Sequence, residues 1–508
     1  MANEEQNIQH ADRSDIEADS KSQDPGIHNY QSQKNVFQSW FRRLRYIKTV
    51  EHIREEAENA PLRRALTAIQ LVFVGIGAII GTGIFVLSGQ AAARNAGPAV
   101  TISFVIAAFA AGLAALSYAE MASMIPVAGS AYTYTYATMG EFIAWTVGWD
   151  LILEYMVGTA TVGVGWSGYF TKFFSVVANV QFSAAWTDPP LVWSEGPPAS
   201  LYYEQGRYFN LPGFSIIMLI TLLLIIGIRQ TSWVNTTIVT IKLVVILLFI
   251  FSMCGFTDRD NYQPYIPPNT SGNWRYFGIP GVFAAATTVF FSYIGFDGVT
   301  TVALEANNPT RDIPIGIFGS LFISTILYIA TCTVMTGVVH YTKLLVPTPV
   351  TVAVDEVQLR TGINFQWLNI IVTIGALCGL TSVLLIGTLG MSRVLYSIAR
   401  DGLLPPVFAK VHSRFKTPYV STLVVGIITA LLAAILPVDL LGNMTSIGTL
   451  LAFFVVHAAV IIMRFTRPDA ERRFKTPGGK YFSLVFPILG MIISVMLIAV
   501  AEVTTIWV

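Results

Sequence analysis

The chain has 508 residues, 54% hydrophobic and 12% charged, with a mean hydropathy of +0.60 and a net charge of +1. A water-soluble domain carries about 25% charged residues, so most of this chain cannot face water, and so small a net charge gives no field for nucleic acid. Cys254, Cys332 and Cys378 lie in or at the end of apolar runs with no CxxC pair; they read as small core residues and exclude a disulfide framework or a metal site.

Residues 1–60 are polar and contain no apolar core, so they are no cleaved signal and are expected to form a disordered tail. From residue 61 to 508 the chain reads as one transmembrane domain. A bilayer-crossing helix needs about 20 apolar residues. Runs near or above that length fall at 69–93, 98–125, 141–170, 213–228, 232–256, 278–303, 314–339, 364–396, 418–436, 443–463 and 483–501, giving about 11 spans. The terminal AEVTTIWV turns polar and then apolar where the chain stops. Ten Lys and Arg precede span 1, among them Arg42, Arg43, Arg45, Lys48, Arg63 and Arg64, and thirteen more lie in the loops of the same side, against seven opposite. The excess predicts a cytoplasmic N-terminus. The 174–212 loop, rich in Trp, Pro and acids, reads as an exposed connection.

In span 1, GIGAIIGTGIF (75–85) places Gly75, Gly77, Gly81 and Gly83 within nine residues. Such glycines can let helices pack closely. A second interruption, VFFSYIGFDGVT (289–300), falls in span 6, five spans later. Broken helices at matching positions indicate two inverted halves of five helices with a substrate site at mid-membrane. The halves would run over about 69–256 and 278–463, with one or more extra spans after them. The predicted class is therefore an all-α polytopic membrane protein whose first and sixth spans unwind where protein or a cavity covers the backbone.

Five stretches in order, GIGAIIGTGIF, SYAEMASMIPVAGSAYTYTYATMGE, GWDLILEY, SYIGFDGVTTVALEANNPTRDIPIGI and SRVLYSIARDGLLPPVF, resemble the cationic amino acid transporter branch of the amino acid–polyamine–organocation superfamily. The resemblance runs from about residue 60 to the end. Bacterial members of that branch have twelve spans and many animal members fourteen, whereas this chain stops at or just inside the twelfth. The resemblance implies an L-amino acid permease.

An α-amino acid offers a carboxylate and an ammonium. A half-helix N-terminus suits the first, and unwound carbonyls suit the second. Combined with motif-by-motif transfer from the family, this assigns the carboxylate to the amides of Thr82 and Gly83, beside Gly81. It assigns the ammonium to the carbonyls of Ile79, Phe291 and Ile294. Phe291 also matches an aromatic position that closes over the substrate in relatives. Lys242 lies about ten residues from either end of span 5, roughly 15 Å from each interface. The resemblance implies that its ammonium replaces a sodium ion and couples to protons; a structural tether is the other reading. Glu154 matches a family acid near the site and is assigned a substrate or proton role. Asp150, at i, i−4 from it, reads as a satisfied structural acid. Asp297 either binds protons or caps the second half-helix. Glu120 reads as part of an ion pair. Leu380 of span 8 falls about where the resemblance places a side-chain pocket and favours a small or apolar substrate over a guanidinium.

There is no P-loop and no HExxH, and the six histidines do not cluster, so neither an enzyme, a cofactor nor a metal is expected. The expected partners are an L-amino acid, protons and the lipid bilayer, with no nucleic acid; a small accessory membrane subunit or a sterol stays open. The expected function is proton-linked secondary transport of neutral or cationic L-amino acids by alternating access, in the plasma membrane or an internal one. A sensor that binds amino acids and transports little is the alternative, and a channel is disfavoured by the two breaks.

Overall fold

The computed structural model describes residues 66–500 apart from 126–129, 195–199, 227–230, 271, 302–305, 414, 416, 471 and 480–482. The tail predicted over 1–60, the terminal 501–508 stretch, and Arg63, Arg64, Arg229, Arg414, Lys416 and Lys480 of the orientation count lie outside those residues.

Helix occupies each of the eleven predicted runs. Span 1 begins at Thr67, whose side chain accepts from the Gln70 amide while the Gln70 side chain accepts from the Thr67 amide. This reciprocal cap fixes the helix start. Its first half, Ala68–Ile79, stops at Ile80, which is extended. The second half resumes as a π-turn, Gly83–Leu87, an α-turn, Ser88–Ala91, and a second π-turn, Ala92–Ala96. Spans 2 to 5 are Val100–Met124, Glu141–Val177, Leu211–Ile226 and Thr231–Met253. Span 6 comprises Gly278–Phe290, a tight turn at Phe291–Tyr293 and a last turn at Gly298–Thr301. Spans 7 to 11 are Pro309–Val338, Gln366–Arg400, Tyr419–Ile435, Val438–Thr466 and Val485–Val500. Among the described residues, six helices are long and apolar enough to cross a membrane by length and composition.

Span 8 lies along span 3, span 7 along span 2 and the first half of span 1, and span 10 between spans 3 and 11. These contacts bury the two breaks at the centre. Phe109, Leu219, Phe251, Phe322, Ile326 and Ile492 stand exposed on the perimeter, the outward apolar belt that lipid requires.

Three elements depart from the predicted pattern. The chain is not wholly helical, because the 174–212 loop carries a two-stranded antiparallel hairpin, Leu191–Ser194 with Ser200–Tyr203. A buried helix, Ser130–Thr138, precedes span 3, and another, Pro349–Thr361, lies between spans 7 and 8. All three are too short to register as apolar runs. Cys254 is exposed, unlike the core residue expected.

The two ends of the bundle are tied differently. Where span 1 starts, Leu66 forms a parallel bridge with Ala306, and its carbonyl accepts from the Asn307 amide at 2.9 Å. At that same end Glu120 closes span 2. It accepts from Arg464 Nε at 3.0 Å and Nη2 at 2.5 Å, and from the Thr476 amide and hydroxyl at 2.9 and 2.6 Å. Arg472 Nε lies 3.6 Å away. At the far end, Arg94 pairs with Asp439 at 2.8 Å, and Lys172 with Asp355 at 2.7 Å.

Candidate functional site

The two breaks pack on each other. A Cβ at Gly83 would stand 2.3 Å from Ser292 Oγ and 2.6 Å from its Cα; one at Gly295 would stand 2.9 Å from Ala78 Cβ. Gly295 has φ +111°, a conformation open to glycine. Gly75, by contrast, serves close packing, since a Cβ there would meet Ser320 Oγ at 2.3 Å.

At the first break, the amides of Gly81, Thr82 and Gly83 donate to no carbonyl among the described residues. They head the second half-helix, where free N–H groups and the dipole favour an anion. The carbonyls are more engaged than the sequence predicts. Ile79 O accepts from the Tyr328 hydroxyl at 2.9 Å, and Phe291 O accepts from the Ile294 amide at 3.1 Å. A carbonyl has two lone pairs, so each keeps one acceptor position. The hydroxyls of Thr82 and Ser292 are buried without a partner, which leaves donors and acceptors at the junction for a polar ligand.

Lys242 is fully buried. Its Nζ donates to Gly77 O at 2.9 Å, Ile80 O at 2.8 Å and Ser382 Oγ at 3.2 Å. An ammonium offers three hydrogens; here two satisfy carbonyls at the first break and the third reaches the Ser382 hydroxyl of span 8.

Asp297 follows the second break, directly before Gly298–Thr301. Its Oδ2 accepts from Tyr155 Oη at 2.7 Å and Ser130 Oγ at 3.4 Å, while Oδ1 has no partner. Both carboxyl oxygens of Glu154 and one of Asp150 are likewise buried and unpartnered, so Asp150 is not the satisfied acid expected. Phe291 lies over span 3: a Cβ at Gly158 would be 3.9 Å from its ring and 3.1 Å from Thr445 Cγ2. Leu380 is fully buried. One turn further on, Val383 meets the first break, with its Cγ2 2.8 Å from a Cβ built at Gly81.

Two residues escaped sequence reasoning. Tyr328 of span 7 lies between the breaks, its hydroxyl 2.9 Å from Ile79 O and 2.6 Å from Ser292 O. Val383 lines the first break. Neither position carries a local signal, because what distinguishes them is a partner more than two hundred residues away.

A membrane bundle with two broken helices packed on each other and buried ionisable groups around the breaks is built as a transporter. The chain belongs to the amino acid permease family, whose model matches residues 66–506. It is 45% identical to the branched-chain amino acid permease BcaP of Bacillus subtilis, covering 82% of this chain and 84% of that one. It is 40% identical to the methylthioribose transporter of the same organism (87% and 89% covered) and 37% identical to the vacuolar cationic amino acid transporter 4 of Arabidopsis thaliana (84% and 67%). It shares its fold with MhsT, solved in complex with L-phenylalanine, at a TM-score of 0.59 and 13% identity, over 87% of this chain and all of that one.

Proposed function

We propose that the chain carries L-amino acids across a membrane by alternating access, driven by protons. Support comes chiefly from the junction of the breaks, where three free amides head a half-helix opposite unwound carbonyls. On this reading Thr82 and Gly83 hold the carboxylate, with Gly81 giving the backbone close approach. The spare lone pairs of Ile79, Phe291 and Ile294 take the ammonium, and Phe291 closes over the ligand. Lys242 and Asp297 couple transport to protons, Glu154 serves substrate or proton, and Leu380 shapes the side-chain pocket. The five-helix halves at 69–256 and 278–463, the cytoplasmic N-terminus and the plasma membrane belong to the same proposal; no catalytic role does.

Gly83→Val tests the placement. The added side chain must displace Ser292 backbone, so uptake in proteoliposomes should vanish while helix content and monodispersity persist. Normal uptake would put the ligand elsewhere. Flux in liposomes holding this protein alone also separates a transporter from a sensor.

Substrate choice is tested by competing labelled alanine and labelled arginine with all twenty amino acids, in wild type and Leu380→Ser. Alanine is expected to be the better substrate, and the serine variant to shift the ratio towards arginine. Better wild-type uptake of arginine with an unchanged ratio in the variant would remove Leu380 from the pocket. The 40% identity to a methylthioribose transporter makes methylthioribose the necessary further competitor. It has neither carboxylate nor ammonium, so it would leave the free amides without a charged partner.

A further inference from the structure

Six of the fourteen buried side-chain polar atoms that lack a hydrogen-bond partner lie together: Tyr118 and Tyr134 Oη, Asp150 Oδ2, both oxygens of Glu154 and Asp297 Oδ1. Span 3 supplies Asp150 and Glu154 at i, i+4, on one face about 6 Å apart, with Asp150 one turn nearer the Glu141 end. Span 10 closes that face with a glycine: a Cβ at Gly448 would stand 3.3 Å from Asp150 Oδ1 and 3.8 Å from Glu154 Cβ. The Tyr118 ring of span 2 packs edge-on against Tyr134 at 6.1 Å and against Phe296, the neighbour of Asp297, at 5.7 Å between centroids. Tyr155 binds Asp297 from span 3. Among the described residues no basic side chain pairs with any of the three acids, and Lys242 serves the other break.

Three carboxyls buried without a counter-charge are costly as anions, so the cluster needs either a cation or protons. Among the described residues no group of three or more His, Cys, Asp or Glu could hold a metal ion. A ladder of acids with open lone pairs and hydroxyls beside them is instead the form of a proton path inside a membrane. Asp150 is partly exposed, whereas Glu154 and Asp297 are buried, so Asp150 is the outermost rung of the ladder.

We propose that Asp297, Glu154 and Asp150 form a proton path from the second break towards the end of the bundle where span 1 starts. It rests on the proton-driven reading above and adds the route, with Asp150 as its outlet. The Asp297 carboxyl O–H breaks and its proton passes by way of water to a Glu154 carboxylate oxygen. Glu154 passes a proton to the Asp150 carboxylate, and Asp150 passes one to water. One proton moves: Glu154 and Asp150 return to their anionic forms, Asp297 is left as the carboxylate until it takes a new proton from water on the far side of the second break, and no electrons transfer.

The test uses the full chain in proteoliposomes, with labelled leucine and labelled arginine and an internal pH dye. Wild type, Asp150→Asn, Asp150→Glu and Glu154→Gln are each measured for counterflow at equal pH and for uptake driven by a proton gradient. Asp150→Asn is expected to keep counterflow but to lose gradient-driven uptake and its internal acidification by about 100-fold, the scale of a positioned proton-transfer group; Asp150→Glu should restore both. Retention of gradient-driven uptake by Asp150→Asn would overturn the path. Equal loss of counterflow would also overturn it, making Asp150 part of the scaffold. If Glu154→Gln impairs arginine but not leucine, the cluster reads a cationic side chain and the path falls. A wild-type protein indifferent to the gradient would instead sink the proton-driven reading, before any variant is compared.

Discussion

Lys242→Ala is expected to abolish the acceleration of uptake by an inward proton gradient and to slow uptake itself by at least about tenfold. The ammonium satisfies Gly77 O and Ile80 O, and leaving one buried acceptor unpaired costs about 1–3 kcal/mol. Since a decade of rate corresponds to about 1.36 kcal/mol, misplacing the first break by one lost bond suffices for that slowing. Initial rates at two external pH values in proteoliposomes check both effects. An unchanged pH dependence at reduced rate would leave Lys242 as a tether alone.

Glu120→Ala should be the most destabilising single change at the end of the bundle where span 1 starts. Glu120 is 1% exposed and gathers two hydrogen bonds from Arg464 and two from Thr476. Its removal leaves the Arg464 and Arg472 guanidiniums facing each other with their shared acid gone. Breaking a buried pair from one side costs about 3–5 kcal/mol. Thermal unfolding in detergent should show a lower Tm and a smaller monodisperse fraction, and saturation with substrate should not restore them. A Tm equal to wild type would mean that the arginines find other acceptors.

The breaks were legible because each violates its own surroundings. Gly81 and Gly83, and Gly295 with Asp297, interrupt runs that have every other property of a spanning helix. Lys242 was legible for the same reason, as a charge at the middle of an apolar run. Tyr328 was not, because a tyrosine in an apolar helix is unremarkable until its hydroxyl is placed between Ile79 and Ser292. Asp150 was misjudged in the opposite sense: an acid near a helix end reads as satisfied, but one of its carboxyl oxygens is buried without a partner. The Ser130–Thr138 helix and the hairpin escaped because hydropathy at the scale of a bilayer averages over nine or four residues.

The contrast between the ends of the bundle makes ionic strength a lever on the two sides unequally. The far end is held by Arg94–Asp439 and Lys172–Asp355, whose side chains are between 16% and 39% exposed. Ions in solution screen such pairs over a Debye length of about 8 Å at physiological strength. The opposite end is held by a backbone bridge at Leu66 and Ala306 and by a carboxylate sealed from solvent, which mobile ions reach far less. Concentrated salt therefore loosens one door of the molecule and leaves the other shut.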